Sequence, residues 1–310
     1  VRAIDPLGHD TRCEYDHAGR VVRETDAAGR TTEYSFDNAD RVIEKRLADG
    51  RVVRYRYDQR GNLLEVDDGM FPIRWTYDQA DQTIAIEYPK LNRKLHYRYD
   101  NSGRLEQFID AEGRSIRYVY DGEDRLHTIQ IGDGRPFEFS YDARDRCTAL
   151  VYPNGVRGVW EYDGRDRVIE LTYTGADGRM LAGWKYVYDA VGNCVSETDS
   201  AGIVTKYRYD AAGQIIEESN PNGNRVQYAY SPGGLRLSRI DGGDRVTYSH
   251  DADDRMDQAG SEKLVYDAVG NLVERIGPTG VTRYLYDVEN RLVKITFPDR
   301  REIEYGYAPT

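Results

Sequence analysis

An aromatic residue followed by Asp returns about every 21 residues along all 310 residues of this chain, and three residues after the Asp stands Gly, Asp or Asn. The copies are Tyr15-Asp16 with Gly19, Phe36-Asp37 with Asp40, Tyr57-Asp58 with Gly61, Tyr77-Asp78 with Asp81, Tyr99-Asp100 with Gly103, Tyr120-Asp121 with Asp124, and Tyr141-Asp142 with Asp145. They continue as Tyr162-Asp163 with Asp166, Tyr188-Asp189 with Gly192, Tyr209-Asp210 with Gly213, Tyr266-Asp267 with Gly270, and Tyr286-Asp287 with Asn290. Two further copies are degenerate, Tyr230-Ser231 with Gly234 and His250-Asp251 with Asp254, and a fifteenth begins at Tyr307. A fixed period of this length is the mark of a repeat architecture and takes precedence over length as a guide to domains.

Gly, Asp and Asn are the residues that enter the left-handed backbone region most readily. Asp at the start of a turn also accepts a hydrogen bond from the backbone two residues on. A type I turn closed by a left-handed residue is a common hairpin connection, so each copy is predicted to be a strand, a tight turn and a strand. In eight copies the next residue is Arg, as at Arg20, Arg41 and Arg104.

A second aromatic stands two residues before the first in twelve copies, among them Tyr55, Trp75, Tyr118 and Trp160; Cys13 and Leu264 break the row. A spacing of two puts both rings on one face of a strand. The run Val52-Val53-Arg54-Tyr55-Arg56-Tyr57 then reads as Val53, Tyr55 and Tyr57 on one side and arginines on the other. The return strand carries aliphatics such as Leu64 and Val66, and a second turn, as at Asp26-Ala-Ala-Gly29 or Asn220-Pro-Asn-Gly223, closes the unit. The fold class expected is therefore all-β: consecutive antiparallel hairpins of about 21 residues forming one long coiled sheet. Fourteen hairpins give 28 strands, which at about 4.8 Å each would span roughly 130 Å and must coil by right-handed twist.

Composition fits a thin wall. With 39% hydrophobic and 31% charged residues, the chain is too polar for a thick two-layer core. The net charge of −11 shows no basic patch, so nucleic acid is not an expected partner. No apolar stretch reaches membrane-spanning length. Nothing marks an internal boundary, so residues 1–310 are expected to form a single repeat region. Both ends look cut, the last inside a turn at Tyr307-Ala-Pro-Thr310, so a piece of a longer protein is expected. Cys13, Cys147 and Cys194 are expected to be free thiols. Two units are irregular: an insertion over Thr174–Trp184, expected as a longer surface loop in preference to a contact site built on exposed Met180, Leu181 and Trp184, and a shortened hairpin at Met256–Gly260 that should alter curvature locally.

The recurring Tyr-Asp-x-x-Gly-Arg resembles the YD repeat of the Rhs family, which includes bacterial polymorphic toxins, the cocoon-forming component of Tc insecticidal toxin complexes, and the animal teneurins. The resemblance covers essentially the whole chain. It implies a hairpin ribbon wound into a hollow shell, which in bacterial members encloses a C-terminal toxin of the same polypeptide. Assembly in a bacterial cytoplasm, followed by secretion or delivery to a target cell, is implied with it, as is contact with a secretion apparatus or chaperone through other domains. Bacterial members also carry a self-cleavage segment with an Asp-Pro motif after the repeats; here only Asp5-Pro6 at the opposite end matches.

Chemistry beyond this is thin. The carboxylates follow the turn period, which marks them as structural. Asp251-Ala-Asp-Asp254 lacks the spacing and closing Glu of a calcium loop. His9, His17, His96, His127 and His250 form neither a triad nor a metal spacing. No catalytic residue, metal or cofactor is expected, and the segment is not expected to be an enzyme. Two function classes remain: a structural container for a toxic cargo, or an extracellular adhesin or glycan-recognition module using the aromatic rows. Burial of those rows favours the first, and exposure to water the second.

Overall fold

A computed structural model describes residues 1–309; Thr310, the end of the expected last turn, lies outside the described residues. Among the described residues the chain forms thirty strands, from Arg2–Ile4 to Glu302–Glu304, and a single 3₁₀ turn at Pro89–Leu91. The two strands beyond the expected 28 are these first and last ones, which lead into the first copy and into the copy at Tyr307. No helix is long and apolar enough to cross a membrane.

The hairpin built on Tyr57-Asp58 shows how sequence becomes structure. Val52–Tyr57 pairs antiparallel with Leu63–Asp67, with Tyr55 opposite Val66 and Tyr57 opposite Leu63. The register slips by one residue between Arg56 and Tyr57. The turn is closed by Gly61 N–H donating to Asp58 O at 3.3 Å and Asp58 N–H donating to Asn62 O at 2.9 Å. A left-handed residue after a type I turn forces such a one-residue bulge. The same slip precedes the aromatic in other copies, as at Glu161/Tyr162 and Val187/Tyr188. The connecting turns between units use the same geometry: Gly29 N–H donates to Asp26 O, and Asp26 N–H to Arg30 O.

The chain gathers into two compact units, Val1–Lys94 with residues from Val246 onward, and Leu95–Arg245. In the first, Leu47, Val53 and Val66 are buried and are covered by Tyr55, Leu63, Trp75 and Val288. Val288 belongs to a repeat far along the chain, so a late turn lies on the aromatic face of early strands. The opposite face is charged: Glu65 accepts from Arg56 at 3.1 Å and from Arg74 at 2.6 Å.

In the second unit the inserted residues do not form the expected surface loop. They lengthen two paired strands, Val168–Thr174 and Met180–Tyr188. Strand wins over loop because the added residues continue the alternation and find partners. Tyr173 packs edge-on against Trp160 (6.2 Å) and Trp184 (6.4 Å), and these two rings of Trp160 and Tyr173 cover the buried Gly158, where an added Cβ would meet both at 3.0 Å. Met180 and Leu181 are exposed at the tip, whereas Trp184 is half-buried rather than exposed. The shortened hairpin, back in the first unit, pairs Met256–Ala259 with Glu262–Tyr266.

Candidate functional site

The recurring turn is the one constellation repeated often enough to define this chain. In the copy at Tyr162, Asp163 Oδ1 accepts from the backbone N–H of Arg165 (2.8 Å) and of Arg167 (3.1 Å). Its Oδ2 accepts from Arg167 Nε at 2.7 Å. One carboxylate therefore closes the turn and fixes the Arg that follows it. Asp16, Asp37, Asp100, Asp121, Asp142, Asp251 and Asp287 hold Arg20, Arg41, Arg104, Arg125, Arg146, Arg255 and Arg291 the same way. At Asp58, Asp189 and Asp267 an Asn side chain takes the place of Arg, and at Asp210 Gln214 does.

The residue three after the Asp is left-handed throughout, with φ from +60° at Asp40 and Asn290 to +107° at Gly192. Gly19, Gly61, Gly103, Gly213 and Gly270 lie between these values, as do Asp124, Asp145 and Asp166.

The fixed guanidinium then reaches into the next repeat. Arg146 lies 4.7 Å over the Tyr162 ring, and its Nη1 donates to Asp163 O (3.1 Å) and to Asp166 Oδ1 (2.7 Å). Arg20 over Phe36, Arg41 over Tyr57, Arg104 over Tyr120, Arg125 over Tyr141, Arg167 over Tyr188, Arg255 over Tyr266 and Arg291 over Tyr307 repeat the stack. Charge over a ring face combined with charged hydrogen bonds is a strong local lock.

The aromatic before the Asp completes the link. Tyr162 Oη donates to Cys147 O at 2.6 Å, on the return strand of the preceding hairpin. Tyr57, Tyr77, Tyr120, Tyr141, Tyr188, Tyr209, Tyr230, Tyr266 and Tyr307 make the equivalent bond. Tyr99 and Tyr286 are half-buried, while Tyr15 and Tyr307 are the exposed members of the row.

Electrostatics match the geometry. The Arg167 side chain, reinforced by backbone N–H groups, holds Asp163 down at about 2. Arg side chains depress Asp16, Asp100 and Asp142 likewise. Burial pushes up Asp58 and Asp189, but hydrogen bonds from Asn62 and Asn193 outweigh it and leave both lowered. Burial also raises Tyr207 to about 12 and lifts the Cys147 and Cys194 thiols; all three cysteines are free. Carboxylates saturated with donors in this way are built to stay ionised and fixed, which suits scaffolding rather than proton transfer.

The role of Arg as the tie between repeats is absent from the sequence reading, although its recurrence one place after the left-handed residue was the available signal. Contacts between distant repeats had no sequence signal. In the first unit Arg30 Nη2 donates to Asn290 Oδ1 at 2.8 Å and Lys45 Nζ pairs with Glu289 at 2.8 Å. Among the described residues, one group of three potential metal donors occurs: Asp5, His9 and Asp253.

A single kind of protein is defined by hairpins tied end to end through such turns: a repeat wall. The RHS Repeat family model matches residues 15–48, 37–69, 188–225, 209–246 and 266–302, and the Teneurin YD-shell model matches 67–176. The chain belongs to the Rhs/YD-repeat family. Its fold matches part of one chain in the structure of the Photorhabdus luminescens Tc holotoxin pore carrying a TccC3 mutation, with a TM-score of 0.77 at 14% identity over 93% of this chain and 18% of that one. It also matches TcdB2-TccC3-TEV, with a TM-score of 0.70 at 15% identity over 94% of this chain and 19% of that one. The chain thus spans about a fifth of the length of these solved chains. No curated protein matches it by sequence.

Proposed function

We propose that this chain is wall from a shell that encloses and shields a C-terminal toxin domain of the same polypeptide until delivery. The observation that carries this reading is the seating of a late turn on early strands in the first unit. Val288 covers the Leu47, Val53 and Val66 cluster, and Glu289 and Asn290 are tied to Lys45 and Arg30. A ribbon whose later repeats lie on its earlier ones is wound, and winding is how a ribbon makes a wall and protects its edges.

Three further points support it. Leu47, Val53, Val66, Ile73, Ala85 and Ala149 are the only buried hydrophobic residues among those described, which suits a wall with water on both sides. The chain's fold is shared with parts of Tc toxin structures that contain TccC3. The aromatic rows are mostly half-buried beneath arginines and neighbouring strands, which leaves few free ring faces for sugars and disfavours the adhesin reading. In this account the repeats work as one region of a longer protein, take no cofactor and catalyse nothing themselves. The shell is assembled in the bacterial cytoplasm, with secretion apparatus or chaperone meeting other domains.

Limited proteolysis of the full polypeptide tests the reading. The C-terminal domain should be cleaved far more slowly in the intact protein than when expressed alone. Equal rates would refute enclosure.

A further inference from the structure

The turn Asp5-Pro-Leu-Gly-His9 has the hydrogen bonds of the other connecting turns. Gly8 N–H donates to Asp5 O, and Asp5 Oδ1 accepts from His9 N–H at 2.7 Å. At the equivalent turn Asp26–Arg30, Arg30 Nε bonds its own Asp26 at 2.7 Å and its Nη2 spans to Asn290 of a distant turn. His9 takes the place of that Arg: His9 Nδ1 bonds Asp5 Oδ2 at 2.7 Å, but the ring has no second fork to extend. Across from it, in the same unit, the turn at His250-Asp251 presents an acid, Asp253. Its Oδ2 is 3.5 Å from Arg255 Nη2. Its Oδ1 is sealed from solvent with no hydrogen-bond partner.

A carboxylate oxygen buried without a donor is costly when ionised, and here burial and the facing carboxylate of Asp5 hold Asp253 above the usual carboxylate range. The donor atoms of Asp5, His9 and Asp253 all lie within 4.8 Å of one another. We propose that these three residues form a binding site for a divalent transition-metal ion of the zinc class, which joins the first turn of the chain to the turn at residues 251–255. Two carboxylate oxygens and an imidazole nitrogen are a donor set that zinc accepts, with water completing four-coordination. The nitrogen donor and the small donor number disfavour calcium, which takes six to eight oxygens. The ion supplies at this junction the positive charge that Arg30 supplies at the next one.

Calorimetric titration of the chain with zinc chloride, alongside thermal melts, tests the site. One zinc ion per chain should bind and raise the melting temperature, and calcium chloride at equal concentration should do neither. His9→Gln and Asp253→Asn should each weaken zinc binding by at least about tenfold while melting cooperatively without metal. The Asp253→Asn variant removes the acid–acid contact, so it is not expected to unfold. Absence of saturable zinc binding overturns the site, as does binding that survives both substitutions, which would trace to the free cysteines. Equal binding of calcium, or an Asp253→Asn melt that rises in a chain indifferent to zinc, also overturns it, the latter pointing to a shared proton.

Discussion

Arg146 and Tyr162 belong to successive repeats yet stack, with the guanidinium carbon 4.7 Å from the ring centroid. Arg146 is anchored by Asp142 of its own turn at 2.6 Å, and Tyr162 Oη returns a hydrogen bond to Cys147 O, the residue after Arg146. The link between hairpins is thus closed from both sides. Neighbouring hairpins are held by side chains of the turn as well as by the backbone ladder.

Removing one of these ties should have a measurable and modest effect. Tyr162→Phe keeps the ring beneath Arg146 but leaves Cys147 O without its donor, at a cost of about 0.5–1.5 kcal/mol. A urea melt should show the midpoint falling without a change in slope. An unchanged midpoint would mean that the hydroxyl bond adds nothing.

The left-handed position separates two substitutions that look alike on paper. Gly61 has φ +100° with open space around a notional Cβ, the nearest atom being Arg41 Nη1 at 3.9 Å. Gly61→Val should therefore destabilise through backbone strain alone, by about 1–2 kcal/mol or more. Asp40 has φ +60° and an exposed ion pair with Arg20. Asp40→Gly relieves strain while losing that pair, so the net change should stay within about 0.5 kcal/mol. Equal melts for the two variants would contradict the turn geometry.

Val53 is the most deeply buried side chain of the first unit, at 1% exposure, beneath the cluster that seats Val288. Val53→Ala should cost about 2–3 kcal/mol. It should also raise hydrogen exchange at residues 287–291, which share no local sequence with it. Faster exchange confined to the hairpin of Val53 would show that the late turn is not held by this contact.

Acid should weaken the turns over a defined range. Asp163 titrates at about 2 in the folded chain against an ordinary value of 3.8. A depressed folded value means that the unfolded chain binds the proton more readily, so this stabilisation is complete above about pH 5 and is lost as pH falls toward 2. Melting temperature should be flat from pH 7 to about 5 and then decline, and Asp163→Asn should flatten that decline. A decline already complete at pH 5 would contradict the assignment.

Much of the architecture was legible because the local rules agree. Tyr55 and Tyr57 at a spacing of two, with Gly61 in a left-handed position that favours Gly, Asp and Asn, specify strand and turn together. What Arg146 touches was not legible, because a period reports what recurs and not which neighbour it meets. Val288 on Val53 was beyond reach for the same reason, since the contact depends on how the ribbon winds. At the insertion Thr174–Trp184, turn residues such as Gly175 and Gly178 point to a loop, but they form only the tip of a hairpin whose lengthened strands pair Leu171 with Trp184. The junction of Asp5, His9 and Asp253 joins residues from opposite ends of the sequence, and no spacing rule connects them.

Electron cryo-microscopy of the full polypeptide tests the central claim most directly. The account predicts that the hairpins seen here form part of a continuous wall, with density for the C-terminal domain on its inner side. Repeats arranged as an open strip, with the C-terminal domain outside and free in solvent, would contradict it.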